Sequence, residues 1–481
     1  MVNADTLHRI RVYSAEAEWV AHSAIHVGSG ESSSAAAPDS LLVRRHNGHF
    51  FVPAASWIGA ARAALALSQL GSATFSMGLA EEPEPLRLLF GGGEKEGLKQ
   101  SFASLLTAAD APALNDPLPA LRDGVRIDAK SGLAFSDKDG GAKFQLEVLP
   151  AGTRFRLRFA LNIPAVIPLG LTEDQLCSQF RALLEGFSSA GISIGARTRR
   201  GYGRGSVANW AIQRFDLQTP AGFVAWLKRA HGDPLPLQKL GTLPSMDKNQ
   251  GLEITISLRL ITSLLVRSGG GAPAEPDAVH LTENGTPVLP GTSIAGALRS
   301  RCRRIALSLL PEAHADELIV AMFGPLKKEG ERTALRASRV WVHEAQVHDV
   351  YHAVHTRVSI DRFTQGALDT RLFDEAPLWP KRTVDGHLRD LRIRLMPLPC
   401  QDERASALLL LAVKDLWLGD LALGGGAAVG RGVWNGIRAT VSHPQLGTIL
   451  MSNPNPSSPS DVRIEGAGLA TLNRWCEQWT Q

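Results

Sequence analysis

Gly195-Ala196-Arg197-Thr198-Arg199-Arg200-Gly201-Tyr202-Gly203-Arg204-Gly205 sets four glycines and four arginines around one tyrosine. Glycine permits positive φ and lets a backbone approach a ligand closely. Arginine forks onto phosphate, and a tyrosine ring offers a stacking face. These residue types in this density suit a loop that holds a nucleic-acid backbone, against the plainer reading of a glycine turn with solvated arginines. A shortened relative, Gly-Gly-Gly-Ala-Ala-Val-Gly-Arg-Gly, runs from Gly424 to Gly432. Each copy follows a helical stretch (Thr172 to Phe187, Glu403 to Leu418) and leads into a strand-like one (Ser206 to Phe215, Val433 to Val441).

A dinucleotide-binding reading fails on this order. A phosphate-binding glycine loop opens a helix and uses its positive end, whereas here the helix precedes the glycines. Arginines and loop N–H groups must then supply the attraction. In the second loop Arg431 stands alone, with nothing matching Arg197, Arg199 and Arg200.

Outward from the two loops the chain reads as a duplication. Arg9 to Ala21 and Leu252 to Ser263 are strand-like by alternation. Each is followed by a small-residue loop ending in Pro-Asp, at Pro38-Asp39 and Pro276-Asp277. Asn47-Gly48 and Asn284-Gly285 are hairpin signals. Helical stretches then open at Pro53 and Pro290, with Pro53, Ser56, Gly59, Arg62 matched by Pro290, Ser293, Gly296, Arg299 at the same spacing of three. Phe90-Gly91 matches Phe323-Gly324, and Val125-Arg126-Ile127-Asp128 matches Val358-Ser359-Ile360-Asp361. The offset falls from 238 at Asp39/Asp277 to 227 at Gly203/Gly430, as deletions in surface arms would produce.

Gly232 to Gly251, rich in proline and glycine, reads as the linker, giving domains 1–240 and 241–481. Strand, helix, two strands, helix, strand is the βαββαβ order. The expected fold class is therefore α+β: two tandem ferredoxin-like (RRM-like) domains, each with a long inserted β-hairpin thumb.

Bulk composition narrows the classes without choosing among them. The 481 residues are 44% hydrophobic and 20% charged, enough for two cores, and the net charge is +4. A nucleic acid must therefore be met by local arginine clusters rather than by a field over the whole surface. The four cysteines, Cys177, Cys302, Cys400 and Cys476, form no CxxC pair, which argues against a zinc site or disulfide framework and fits a reducing cytoplasm. No apolar run is long enough for a bilayer, and no membrane partner is expected.

The residues so far match a known family. The chain resembles the RAMP superfamily, specifically the backbone subunits of type III CRISPR effector complexes, with two such subunits fused in one chain. The resemblance rests on His26 to Gly30, Pro38-Asp39, Val52 to Ser56 with Gly59 and Arg62, Ile127-Asp128, the run from Glu147 to Gly152 and the loop through Gly205. In the second half it rests on Pro276-Asp277, Leu289 to Ser293 with Gly296 and Arg299, Phe323-Gly324, Ile360-Asp361-Arg362 and Gly424 to Gly432. By resemblance each half grips guide RNA, and its thumb displaces one base of the guide–target duplex. An aspartate after the first strand then promotes cleavage of target RNA beside that base.

The matching catalytic positions are Asp39 and Asp277. The expected activity is a metal-dependent endoribonuclease using Mg2+ or another divalent cation, with no metal-ligand set identifiable among the residues themselves. The RNA-binding set is Ser56, Arg62, Arg197, Arg199, Arg200, Tyr202, Arg204, Ser293, Arg299 and Arg431. The implied partners are guide RNA, complementary target RNA and other subunits of the complex, in the cytoplasm.

Blander readings stand beside these. Pro-Asp is most often a turn. Asp128 and Asp361 read first as turn formers. Ser56 with Arg62, and Ser293 with Arg299, also fit a helix start and an exposed charge. His26 has no second-half counterpart, and Trp417 and Trp434 are most simply core. Two rival functions follow: a non-catalytic guide-RNA scaffold if both aspartates are structural, and a precursor guide-RNA processing endonuclease, which would want a histidine-based acid–base site.

Overall fold

The computed structural model describes residues 9–30, 38–70, 82–92, 101–125, 143–245, 251–269, 276–325, 337–381, 386–397, 403–455 and 461–477, with 127, 134, 136, 137, 140 and 141. Asp128 lies outside them. The chain divides into two units: Met1–Leu121, Leu146–Thr198 and Tyr202–Lys248 form one, and Arg122–Gln145, Arg199–Gly201 and Asn249–Gln481 form the other.

Alternation builds the first unit's sheet. In β1 (Arg9–Ala21) the odd positions Tyr13, Ala15, Ala17, Trp19 and Ala21 are buried, while Ser14, Glu16 and Glu18 stay at least partly open. The chain continues through α1 (Ala54–Leu70), α2 (Glu84–Phe90), β2 (Leu106–Ala108), β3 (Ala120–Val125), β4 (Lys143–Val148), β5 (Arg154–Pro164), α3 (Glu173–Ser188), β6 (Gly205–Val207) and β7 (Ala211–Asp216). The sheet runs β7-β1-β5-β2, every pair antiparallel, with β6 also on β1. Trp57, Ala61 and Leu65 of α1 and Leu176, Phe180, Leu183 and Phe187 of α3 share one core with the inward side chains of β1 and β5. Helix α3 starts sharply because Thr172 and Gln175 form a reciprocal capping box.

The second unit repeats this plan: β8 (Leu252–Leu260), β9 (Ala278–His280), α4 (Gly291–Leu309), α5 (Glu312–Phe323), β10 (Val340–Val342), β11 (His355–Ile360), β12 (Ala367–Ala376), β13 (His387–Leu395), α6 (Glu403–Leu418) and β14 (Trp434–His443). Its sheet places β14-β8-β13-β10 in the same relative order, again antiparallel. Leu252, Ile254, Ile256, Leu258 and Leu260 of β8 face α4 and α6 across a second core that includes Trp417 and Trp434. Asn284 and Gly285, at φ 48° and 76°, make the tight turn that their dipeptide signals.

Two expectations need correction. The stretch taken for linker is part-structured: Asp233 and Pro234 pair with Arg214 and Gln213 on β7, and Leu240 is buried. The two middle hairpins are also unlike. The base of the first groups with the second unit, where buried Arg122 meets Glu344 at 2.8 Å and Glu283 at 3.4 Å, while Val125 and Ile127 are exposed. The β11/β12 hairpin instead stays exposed along most of its length, with Phe363 at its turn 89% exposed.

Candidate nucleic-acid interface

Both glycine loops take one backbone conformation. Positive φ occurs at Gly195, Arg197, Gly201 and Gly203, and again at Gly424, Gly426, Gly430 and Gly432, at a constant offset of 229. A single 3₁₀ turn sits inside each, Thr198–Arg200 and Ala427–Val429. The loops close alike: Ile194 N–H donates to Gly203 O (2.8 Å) and Leu423 N–H to Gly432 O (2.9 Å). They are also pinned alike to the exit of the first strand. Gly203 N–H donates to Ala24 O and Ala196 N–H to His26 O; Gly432 N–H donates to Ser263 O and Gly425 N–H to Leu265 O. A Cβ on Gly203 would lie 1.8 Å from Ile194 O, and one on Gly432 would lie 2.0 Å from Leu423 O, so only glycine fits. The Gly203/Gly430 pairing read from the sequence is therefore corrected to Gly203/Gly432, and Arg431 stands where the first loop has Tyr202.

That equivalence redefines two RNA-binding candidates. Tyr202 and Arg431 are each 3% exposed, so neither presents a face to a ligand. Arg431 instead ion-pairs with buried Glu375 at 2.8 Å.

The loop arginines are likewise engaged. In the second unit Arg199 donates from Nη1 to Ser338 O and lies over the Trp341 ring, 5.5 Å from its centroid. Arg200 donates from Nη1 to Val340 O at 3.0 Å. Burial pulls the guanidinium pKa of Arg197 and Arg199 down, with Arg339 adding repulsion at Arg199. Arg204 is half-buried; its backbone N–H donates to Ser23 Oγ and its carbonyl accepts from His22 N–H. Arg199 and Arg200 thus each commit one guanidinium nitrogen to a backbone carbonyl.

Among the helix candidates, Ser56 and Ser293 are half-buried in the first turns of α1 and α4, where their N–H groups donate to Pro53 O and Pro290 O. Arg62 forks onto Glu82, Nε to Oε1 at 2.8 Å and Nη2 to Oε2 at 2.5 Å, which raises its pKa. Arg299 is half-buried, its pKa lowered by burial, with Nη1 3.5 Å from Phe323 O.

Both proposed catalytic aspartates are exposed. Asp39 precedes Ser40, whose Oγ lies 3.0 Å from His26 Nε2. His26 Nδ1 faces Glu147 O at 2.7 Å, and since a carbonyl only accepts, Nδ1 carries the hydrogen. Buried Glu147 in turn accepts from Leu42 N–H at 2.9 Å and pairs with Arg44. In the second unit Asp277 Oδ2 accepts from Asp374 N–H at 2.8 Å. The residues after it, Ala278 and Val279, pair parallel with Glu375 and Ala376. Asp361 holds its turn by accepting from Phe363 N–H, Thr364 N–H and Thr364 Oγ.

The Asp277 carboxylate is thus fastened close to the base of its middle hairpin, and Asp39 directly precedes Ser40, whose backbone bridges to Leu146. Sequence reading missed Ser40, Arg44, Arg267, His280 and Glu375 as parts of this arrangement. The signal that was present is a charged residue inside an otherwise apolar strand end, Glu147 between Leu146 and Val148. Among the described residues no three His, Cys, Asp or Glu side chains converge as a metal cage would require, and no helix is long and apolar enough to cross a membrane.

No curated protein matches the chain. A model of the RAMP superfamily, however, matches residues 20–206 and again 257–434, each span running from the first strand to its glycine loop or just past it. With most of the sequence inside two such spans and the same loop conformation in both, the chain belongs to the RAMP superfamily.

Proposed function

We propose that this chain is a backbone subunit of a type III CRISPR ribonucleoprotein that binds guide RNA and cuts complementary RNA once per repeat. Each repeat is read as a ferredoxin-like domain, with Asp39 and Asp277 as the residues acting on target RNA. The observation that carries the reading is the recurrence in both repeats of an exposed aspartate one residue before a segment pinned to the hairpin base. RNA supplies its own nucleophile. The carboxylate takes the proton of a 2'-hydroxyl, that oxygen attacks the adjacent phosphorus, and the bond to the 5'-oxygen breaks as that oxygen takes a proton from water. The products are a cyclic phosphate and a 5'-hydroxyl end.

A divalent cation would meet one protein carboxylate per site and draw its other ligands from phosphate and water, as Mg2+ commonly does. The complex would work in the cytoplasm with the other effector subunits.

One observation favours the scaffold reading at the second site: Asp277 spends one carboxylate oxygen on the Asp374 amide, as a structural turn residue would. The precursor-processing reading draws no such support, because His26 and His280 are both buried and held by backbone partners.

The test is the complex assembled on a guide and given labelled complementary RNA with magnesium. Asp39→Ala is expected to remove one product band and Asp277→Ala another. Unchanged ladders in both variants would leave the scaffold reading alone standing.

A further inference from the structure

We propose that Glu375 is a positioning residue for Asp277, and that the three arginines around it form the clamp that sets the aspartate against the exposed hairpin. This deepens the function proposed above and rests on it only for the cleavage arm of its test.

Glu375 is 2% exposed and belongs to β12, one residue after the amide that Asp277 accepts from. Its backbone stands opposite Ala278, the residue after Asp277, on one side and His355 of β11 on the other. Its carboxylate gathers three separate segments. Arg267, from the strand Arg267–Gly269 antiparallel to β9, reaches Oε1 at 2.8 Å. Arg431, from the glycine loop, reaches Oε2 at 2.8 Å, and Arg357 of β11 lies 3.6 Å from the same oxygen. Burial alone would push this carboxyl up, but Arg431 and Arg267 outweigh it and hold it below the ordinary glutamate range.

A charge this deep is retained only if it is paired, so removing either side of the clamp frees the other to reorganise. Loop, aspartate strand and hairpin are thereby fixed by one side chain. The first repeat has the same device in simpler form. Glu147, in the strand whose Leu146 pairs parallel with Ser40, accepts from Leu42 N–H and pairs with Arg44 on the segment that follows Asp39. Two independent copies of a buried glutamate, each on the hairpin's return strand beside the aspartate segment, argue for positioning rather than incidental packing.

The test uses the full chain in three forms: wild type, Glu375→Gln, and Glu375→Gln with Arg431→Met, which removes the charge from both sides of the more deeply buried of the two 2.8 Å pairs. Residue-resolved hydrogen exchange reads the clamp without any cleavage. The single variant is expected to speed exchange at Asp374 and at Ala278 to His280 at least tenfold, and unchanged exchange there overturns the proposal. In the assembled complex the Asp277-dependent band is expected to fall at least tenfold in kcat, with KM, guide occupancy and the Asp39-dependent band unchanged.

The double variant separates positioning from bulk stability. It is expected to regain thermal stability while exchange at Ala278 stays fast and the band stays weak. Recovery of exchange and cutting together with Tm would reduce Glu375 to a packing residue and overturn the proposal. If the wild type cuts at neither site, the functional reading falls, while the exchange measurement still decides whether Glu375 holds Asp277.

Discussion

Arg200 separates what a residue's charge suggests from what its geometry does. Its Nη1 is committed to the O of buried Val340, and a hydrogen bond from a charged group contributes on the order of 1.5–3 kcal/mol. Arg200→Ala is therefore expected to lower urea-measured stability by about that much. The slope of log K for guide binding against log salt should stay unchanged. Loss of one phosphate contact would instead reduce that slope by roughly 0.7 and leave stability alone.

His280 makes the stability of the second unit depend on pH. It is 1% exposed, accepts from Val266 N–H through Nδ1 and donates from Nε2 to Val288 O, and burial pushes its pKa down to about 4. The folded state keeps this ring neutral while the unfolded chain protonates near 6.5, so the unfolded state binds more protons as pH falls. Its contribution is whole above about 6.5 and is lost between 6.5 and about 4, amounting to roughly 3 kcal/mol. His280→Leu is expected to destabilise at neutral pH, because it strands two backbone partners, and to flatten the stability–pH slope across that window. Equal slopes in wild type and variant would show that the ring titrates freely.

At the scale of elements, the two middle hairpins diverge for reasons that no local pattern records. The first arm's packing hangs on Arg122, 222 positions from Glu344 in sequence, and on Glu283 beside it. Arg122→Ala would leave two nearly buried carboxylates without their cation, a change that costs roughly 3–5 kcal/mol. Equilibrium unfolding should register it, whereas Phe363→Ala at the exposed β11/β12 turn should shift stability by less than about 0.5 kcal/mol. A reversed ranking would mean that the first arm is not held by this ion pair. Strand-like runs such as Val125 to Asp128 and Val358 to Asp361 made both arms readable as hairpins, but the charge pairing that anchors the base of the first lies far away in sequence.

The glycine loops were legible for the opposite reason. Positive φ and close backbone approach admit only glycine at Gly203 and Gly432, so the chemistry is written locally. Matching the letters Gly-Arg-Gly still slipped the second copy by two residues, since conformation and not composition sets the register. Likewise Asp39 and Asp277 were singled out by the family resemblance, from their place after a first strand. The buried glutamates beside them were not, because a lone Glu in a strand carries no sign of the partner it will meet.

Over the whole molecule, buried side chains fall into two clusters, one drawn from the first unit and one from the second. Each has its own antiparallel sheet with helices packed on it, and each is large enough to fold around its own apolar interior. Cooperativity should follow the cores and not the chain, so a single two-state description is the wrong expectation. Calorimetry is predicted to return a total enthalpy about twice the van't Hoff value. Leu183 of α3 and Leu408 of α6 are fully buried, one in each core, and Leu→Ala at such sites costs about 2–5 kcal/mol. Leu183→Ala should lower one transition and Leu408→Ala the other. Arg122→Ala should move with Leu408→Ala, despite its place in the first half of the sequence, because residues 122–145 belong to the second unit. If instead Arg122→Ala shifts the transition that Leu183→Ala shifts, the arm is held by the first core and the division of the chain must be redrawn.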